Sequence, residues 1–512
     1  MEKTVDLCVV GAAGSGMAAA ITAAQSGTKD ILVLEKNPSP GGCTTMSAGM
    51  MGINTPVQRR FGEKLDPDEY YKKVIHLLNW RCDAKLVRKW LNGSGKNFEW
   101  LEDLGMTYQF CTTESADQSL FASTHHRIGH WDGEKWVMEK QGPKLVKTLK
   151  NACDKYGVEI MTNTRAKHLL KGEDGAINGV VAETKDEEIV IHAKAVILAT
   201  GSISANQELI RHFYASDEYK DVHIMANIPH NTGDGLIMAK EIGASEGRIG
   251  TLFIGPHNHY PYASEVMSVL MRRAQPIKVN MNGERFADES IPFTEEFGWM
   301  MSMSVDMQPG KKSYSIVDQG YIEQIQAHTD FFPKRYDTGC QIENPASFGP
   351  PCPVEKDQDP LTWRERIYEH IKYEEERGHA KICQTLDEAA EFIGCDPETL
   401  KHTVAHYNEC CARGYDDEFL KAKEYLEPVE KAPYYVLLGY SGIDTCLGGL
   451  KIDNRQRVMD MEGHAIPGLY AAGVMCSGWF NDSYVFFGSE MSFVIYSGRT
   501  SGEEASEYIA RK

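Results

Sequence analysis

Hydrophobic positions first gather in a short apolar run, Val5 to Val10, which breaks into Gly11-Ala12-Ala13-Gly14-Ser15-Gly16. An alanine-rich stretch from Met17 to Ser26 follows, then a second apolar run, Ile31 to Leu34, closed by Glu35. Unbroken apolar runs on either side of small residues predict buried strand, tight turn, helix and buried strand. From Asp66 to Leu104, the positions Val74, Leu77, Leu78, Leu86, Val87, Trp90 and Leu91 recur at helical spacing. They predict a helical insertion over about 60–105. A helix over Pro143 to Tyr156 and a short strand, Val158 to Met161, come next.

Ile177 to Thr184 and Glu188 to His192 read as a hairpin feeding a separate buried run, Ala195 to Leu198, that ends on Ala199-Thr200-Gly201. Asn231-Thr232-Gly233-Asp234-Gly235 opens a helix reaching Ile242, with Asp234 suited to cap it. Beyond Gly243 the strand-glycine-helix rhythm is lost and methionine, histidine, aromatics and proline increase. Within that part, the charged residues between Trp363 and Arg377 read as a solvated helix face, and Asp396-Pro397-Glu398 as a helix start. The first rhythm returns near the end: Gly448 to Asp453 and Ile466 to Gly473 read as strands, and a final helix runs toward Ile509. The organisation expected is α/β: a Rossmann-like domain over 1–235, interrupted by an inserted α+β capping domain over 236–433, and completed by 434–512.

The chemistry of the opening segment is that of a dinucleotide cradle. A tight turn brings backbone N–H groups and a helix N-terminus against a pyrophosphate, and an acid about twenty residues on accepts hydrogen bonds from a ribose. Gly11, Gly14, Ser15, Gly16 and Glu35 stand in that register, with Ala13 in place of the usual second glycine. NAD and FAD share the turn. The loop Gly41-Gly42-Cys43-Thr44-Thr45 favours FAD.

Composition narrows the remaining classes. At 512 residues the chain exceeds one compact core, and 42% apolar with 25% charged residues describes a globular enzyme. A net charge of -19 argues against nucleic acid or an anionic membrane as partner. No apolar run reaches the roughly 20 residues of a membrane span, and Asp6 interrupts the only stretch resembling a leader, so a cytoplasmic location is expected. The 13 cysteines show no cluster or zinc spacing and read as reduced thiols, with Cys410-Cys411 as packing residues.

These motifs occur in one order along almost the whole chain, together with Glu35-Lys36, Ser47 and Gly49, Asn282-Gly283-Glu284-Arg285-Phe286, Gly448-Gly449 and Pro467-Gly468-Leu469-Tyr470-Ala471-Ala472-Gly473. In them the chain resembles the FAD-dependent family of fumarate reductases and succinate dehydrogenase flavoproteins, with urocanate reductases and 3-ketosteroid Δ1-dehydrogenases as relatives. The resemblance implies FAD held by Gly11 to Gly16, Glu35, Lys36, Gly41, Gly42, Thr44, Thr45, Ser47 and Gly49. It extends the cradle to Ala166, Ala199, Thr200, Gly201, Asn231, Gly233, Asp234, Gly473, Ser489 and Met491. Val474 replaces the glutamate that usually follows the Ala-Ala-Gly motif. No metal is expected.

The resemblance also implies a substrate between cap and flavin, and there the match fails. The histidine and C-terminal arginine that cage two carboxylates fall at about Thr445 and Val485, the cap arginine that donates the proton near Phe293, and a cap Thr-Glu pair near Ser268 and Val269. A dianion without charge-assisted partners in a dry site costs several kcal/mol, so fumarate is not the expected substrate. With Trp479, Phe480, Phe486 and Phe487 nearby, the expected substrate is apolar or aromatic, bearing a C=C bond conjugated to a carbonyl and reduced, or formed, by hydride transfer at flavin N5.

Tyr484, four residues before Gly488, matches a tyrosine that hydrogen-bonds the substrate carbonyl in ketosteroid dehydrogenases. Further polar candidates are Arg127 beside His126, and His257, His259 and Tyr260 in the cap. Arg285 is expected to hold the cap together. The alternatives are a ketosteroid dehydrogenase or reductase proper, and a flavoprotein subunit passing electrons to a partner. The electron donor stays open between an NADH-linked flavin reductase and a ferredoxin-like protein.

Overall fold

A computed structural model describes residues 1–47, 49–110, 124–131, 136–138, 141–214, 229–254, 270, 277–291, 300–327, 366–440, 442–480 and 488–512. Glu2–Val10 lies at the centre of a sheet, parallel to Glu188–Leu198 on one side and Ile31–Leu34 on the other. Ala465–Ala471 extends it in parallel beyond Glu188–Leu198, and Glu159–Met161 beyond Ile31–Leu34. The register pairs Val10 with Leu34 and Leu198, and Leu198 with Ala471. All these strands therefore end at one edge, where ligands of open parallel sheets bind.

Close packing of small residues sets the layer above. Gly14–Gln25 packs on the C-terminal helix Ser489–Ala510, and a Cβ on Gly498 would stand 2.4 Å from Ser15 O, or on Gly502 2.3 Å from Ala19 O. Alanines on the first helix and glycines on the second let the backbones touch.

The expected hairpin forms, and its second arm and the buried run are one strand. Glu188–Leu198 continues through Ala193 and Lys194 because its alternation of outward and inward residues runs unbroken from Glu188 to Ala195 before the strand becomes wholly buried, and Lys194 reaches Asp6 at 2.7 Å. The stretch 60–105 contains two long helices, Pro67–Leu77 and Ala84–Asp103, started by Asp66 and Asp83, whose carboxylates accept first-turn N–H groups.

The second unit is an antiparallel sheet of Ile277–Val279, Lys312–Asp318, Tyr434–Tyr440 and Ala380–Cys383, with helices against it. Tyr434–Tyr440 thus belongs to the capping sheet, beyond the boundary expected near 433. Gly442–Leu450 then pairs with Glu246–Ile254, so the strand anticipated from Gly448 begins earlier. The helix Ile367–Glu376 buries Ile367, His370, Ile371 and Glu374, so one of its faces is core rather than solvated. Pro397–Arg413 starts as expected, with Asp396 accepting from Thr399 N.

At the hub of this unit is Arg285. Its guanidinium meets Glu289 at 2.9 Å and Asp416 at 2.9 Å and lies over the Tyr407 ring, while Lys421 Nζ stands 3.3 Å from Glu289. None of these charged side chains reaches solvent.

Candidate functional site

At the shared strand edge lies an open cleft enclosing about 870 Å³ of atom-free space. Its wall contains Gly11, Ala13 and Ser15 from the turn, Glu35 and Lys36 from the second strand end, and Gly42 and Thr44 from the paired-glycine loop. Ala166, Ala199, Thr200, Gly201, Asn231, Asp234 and Met491 complete the expected set on that wall.

The turn is held by backbone geometry. Gly11 has φ +107°, and a Cβ there would sit 2.3 Å from Ala199 O. A Cβ on Gly16 would fall 1.8 Å from Gly11 O, so Gly16 lies under the turn and permits helix and strand to meet. Gly14 N donates to Thr44 Oγ1 at 2.9 Å, and Gly41 N to Ala12 O at 2.9 Å, which fixes the paired-glycine loop against the turn. Gly14, Gly16, Gly41, Thr45, Ser47, Gly49, Gly233, Gly473 and Ser489 stand off the wall. Several of them shape it: Gly473, with φ +81°, places its N–H 2.9 Å from Ser497 Oγ, and Gly233, with φ +76°, precedes the Asp234 helix.

Glu35 is buried. Oε2 accepts Ala12 N–H at 2.9 Å, while Oε1 accepts the backbone and side-chain N–H of Asn37, also at 2.9 Å, so Oε2 keeps a lone pair for a ribose hydroxyl. Asp234 does not cap its helix. The N-cap is Gly233, and the Asp234 carboxylate is forked to Arg165 at 2.9 and 3.1 Å and held by Lys36 at 3.1 Å and Thr232 at 2.8 Å. Burial pushes this carboxyl upward, but Arg165, Lys36 and Thr232 outweigh it and hold it below its ordinary value.

The wall also includes Cys43 and Val474 and, among residues not singled out beforehand, Arg165, His230 and Glu490. Asn231 Nδ2 donates to Cys43 Sγ at 3.0 Å. Arg165 enters through the ion pair with Asp234, a contact that sequence spacing does not announce.

The catalytic candidates fare differently. Tyr484, His257, Tyr260 and His259 lie outside the described residues, as do Val485, Phe486, Phe487, Phe293, Ser268 and Val269. Arg127 lies in the strand His125–Trp131, opposite Gln109. Its neighbour His126 is a core residue: Nδ1 is 2.7 Å from Thr124 O, which can only accept, and Nε2 is 2.9 Å from Thr55 Oγ1. Nδ1 therefore carries the proton, and Thr55 donates to Nε2. Burial pulls the His126 pKa down to about 4.

Trp479 and Phe480 are also core. The Trp479 ring stacks on Phe493 at 4.2 Å and meets Trp90 edge-on at 5.7 Å, and its indole N–H donates to Cys476 O. Neither is open to a substrate, so the expected aromatic pocket loses these two.

The wall suits FAD. Three helices, starting at Gly14, Asp234 and Ser489, open at or beside it, and the N-cap residue of each makes no side-chain hydrogen bond, so the positive ends of their dipoles suit a pyrophosphate and an electron-rich ring. The buried Ser47 Oγ and both polar atoms of buried Gln141 lack protein partners, and Gly142 N bonds Ser47 O at 3.0 Å. Gly11 and Gly201 keep open a cradle that side chains would fill.

Comparison with known proteins agrees. A description of the FAD binding domain matches residues 6–484. The chain is 27% identical to a vinyl phenol reductase of Lactiplantibacillus plantarum, over 99% of this chain and 97% of that one. It is 28% identical to a urocanate reductase of Eggerthella lenta, over 92% and 70%. The open conformation of a flavocytochrome c3 fumarate reductase superposes with a TM-score of 0.69 at 24% identity, over 99% of this chain and 79% of that one. The chain belongs to the FAD-binding domain family and is an FAD-dependent oxidoreductase.

Proposed function

We propose that this enzyme reduces a C=C bond conjugated to an oxygen-bearing apolar or aromatic system, a carbonyl or a phenol, and that fumarate is not its substrate. The observation that carries the reading is the exchange of the dicarboxylate cage for Thr445, Val485, Phe293, Ser268 and Val269 in a chain otherwise collinear with such reductases. Neutral side chains leave two substrate carboxylates without partners, whereas a neutral conjugated substrate needs none. Similarity to a vinyl phenol reductase along nearly the full length of both chains supports the aryl-conjugated form.

FAD, when bound, supplies the hydride. Tyr484 is proposed to hydrogen-bond the oxygen at the far end of the conjugated system, where charge builds as the double bond is polarised. A phenol suits this because it donates while neutral at pH 7. His257, Tyr260 and Arg127 are proposed to position the substrate or move the proton at carbon. Glu35, the Asp234–Arg165 pair and the uncapped helix ends hold the cofactor at the strand edge.

The enzyme, reduced anaerobically with dithionite or viologen, should be reoxidised by 4-vinylphenol, aryl-acrylates or enones and not by fumarate. Reoxidation by fumarate alone overturns the reading. Tyr484→Phe should retain FAD while turnover falls by about two orders of magnitude. Unchanged turnover removes Tyr484 from the mechanism. No helix among the described residues is long and apolar enough to cross a membrane. The electron donor is proposed to be an NADH-linked flavin reductase or a ferredoxin-like protein, and the enzyme to work in the cytoplasm.

A further inference from the structure

The helix Pro397–Arg413 carries His402, His406 and Cys410 at intervals of four residues, a spacing that aligns side chains along one face. The helix ends at Gly414, with φ +67°, and the chain turns back. Asp416 points inward to Arg285, while Asp417 faces His406 and Cys410. His406 Nε2 lies 3.0 Å from Asp417 Oδ1, Cys410 Sγ 3.5 Å from the same oxygen, and Sγ 3.9 Å from Nε2.

Those separations are the edges of a metal polyhedron. Bonds of about 2.1 Å to nitrogen or oxygen and about 2.3 Å to sulfur, at tetrahedral angles, give ligand-to-ligand edges of roughly 3.4 to 3.6 Å. The triad is within a few tenths of an ångström of that without any shift of backbone. Imidazole, thiolate and carboxylate together suit Zn²⁺, whereas Mg²⁺ and Ca²⁺ require oxygen ligands.

Arg413 does not take the ion's place. Its Nη2 lies 2.6 Å from Asp417 Oδ2, the oxygen turned away from His406, and 3.2 Å from Cys410 Sγ. Such a donor orients a ligating carboxylate and hydrogen-bonds a ligating sulfur from outside the ion. The His402 ring is stacked on His406 at 6.4 Å, and water completes the fourth position.

We propose that His406, Cys410 and Asp417 form a Zn²⁺ site on the capping unit, with Arg413 as its outer partner. The bound ion ties the loop after Gly414 to the helix and so braces the segment that carries Asp416 to Arg285. On binding, the Cys410 thiol gives up its proton to solvent, and no electron is transferred.

The test uses the reduced, metal-free, full-length FAD enzyme, titrated with Zn²⁺ by calorimetry and with Co²⁺ by difference absorption. One equivalent should bind, and Co²⁺ should produce sulfur-to-metal charge-transfer absorption that Cys410→Ser abolishes at unchanged flavin content. Asp417→Asn and His406→Ala should each weaken Zn²⁺ binding by at least roughly a hundredfold, and Arg413→Met by about 10- to 100-fold. Binding and charge-transfer absorption unaltered in these variants, or absent from the wild-type enzyme, overturn the proposal. If Cys410→Ser fails to fold, the Asp417 and His406 variants decide alone.

Discussion

His126 makes stability depend on acid in a way that can be worked from its contacts. The ring is fully buried, with Nδ1 2.7 Å from Thr124 O and Nε2 2.9 Å from the Thr55 hydroxyl, and the cost of burying a charged imidazole outweighs the backbone acceptors around it. Its pKa falls from 6.5 in the free side chain to about 4 when folded. Between these values the unfolded chain binds the proton and the folded one does not. Stability from this residue is therefore complete above about pH 6.5 and is lost as pH falls toward 4. Between pH 7 and pH 5 the loss amounts to about 2 kcal/mol.

The perturbation is His126→Gln, which keeps a polar group and cannot titrate. At pH 7 the variant should be less stable by about 1–2 kcal/mol, from lost hydrogen bonds and from the ring contact with Phe98 at 4.5 Å. At pH 5 that gap should narrow by about 2 kcal/mol, because only the wild type carries the protonation penalty. Urea titrations of both proteins in saturating FAD, followed by tryptophan and flavin fluorescence, measure the gap at each pH. His370, also pulled down to about 4 by burial, contributes equally to both proteins and cancels. A gap unchanged between pH 7 and 5 refutes the neutral, locked imidazole.

Gly16→Ala should abolish FAD retention on purification, because its Cβ would lie 1.8 Å from Gly11 O and the turn must open. Overpacking of about 1–3 kcal/mol or more is expected, read from flavin-to-protein absorbance and thermal unfolding, and retained stoichiometric FAD contradicts it. Asp234→Asn removes the shared acceptor of Arg165 and Lys36 and should weaken FAD binding about tenfold, near 1.4 kcal/mol. Arg165→Lys keeps the charge, loses the fork and should cost less, as flavin fluorescence quenching would register. Arg285→Met removes the charge shared by Glu289 and Asp416, leaving Asp416 with backbone donors and Glu289 with Lys421, and should destabilise the capping sheet by about 3 kcal/mol. Hydrogen exchange should then accelerate in Lys312–Asp318 and Tyr434–Tyr440 but not in Glu2–Val10.

What was legible in the sequence was set by short-range rules. The turn from Gly11 to Gly16, Glu35 and the Asp396 cap each depend on a few neighbouring residues, and each stands where the pattern placed it. Asp234 was misread as a cap because its partners, Lys36 and Arg165, belong to distant strands, and no local spacing reports an ion pair of that range. Trp479 was misread as pocket lining for the same reason. Its partners are Trp90 and Phe493 on two other helices, and an aromatic beside a cofactor motif looks the same in sequence whether it faces a ligand or another ring. Lys194 disguised one strand as two, since a single outward charge resembles a break until Asp6 is seen to receive it.

The boundary of the capping unit shows why cofactor and substrate readings separate so sharply. After leaving the capping sheet at Tyr440, the chain enters Gly442–Leu450, which pairs with Glu246–Ile254 and bridges from Leu450 to Cys476 beside the cofactor strand. Entry and exit of the cap are thus one antiparallel ribbon. At Gly448, φ is +115° and a Cβ would stand 2.3 Å from Arg248 O, so the ribbon is pinched where it meets the FAD-binding sheet. On the cofactor side of that pinch the turn and the helix contacts are made by backbone and small residues, which tolerate few alternatives and can be read from sequence. Thr445 lies inside the ribbon itself, opposite Leu252 and before Gly448, so a change of side chain at 445 leaves the backbone geometry of the pinch in place.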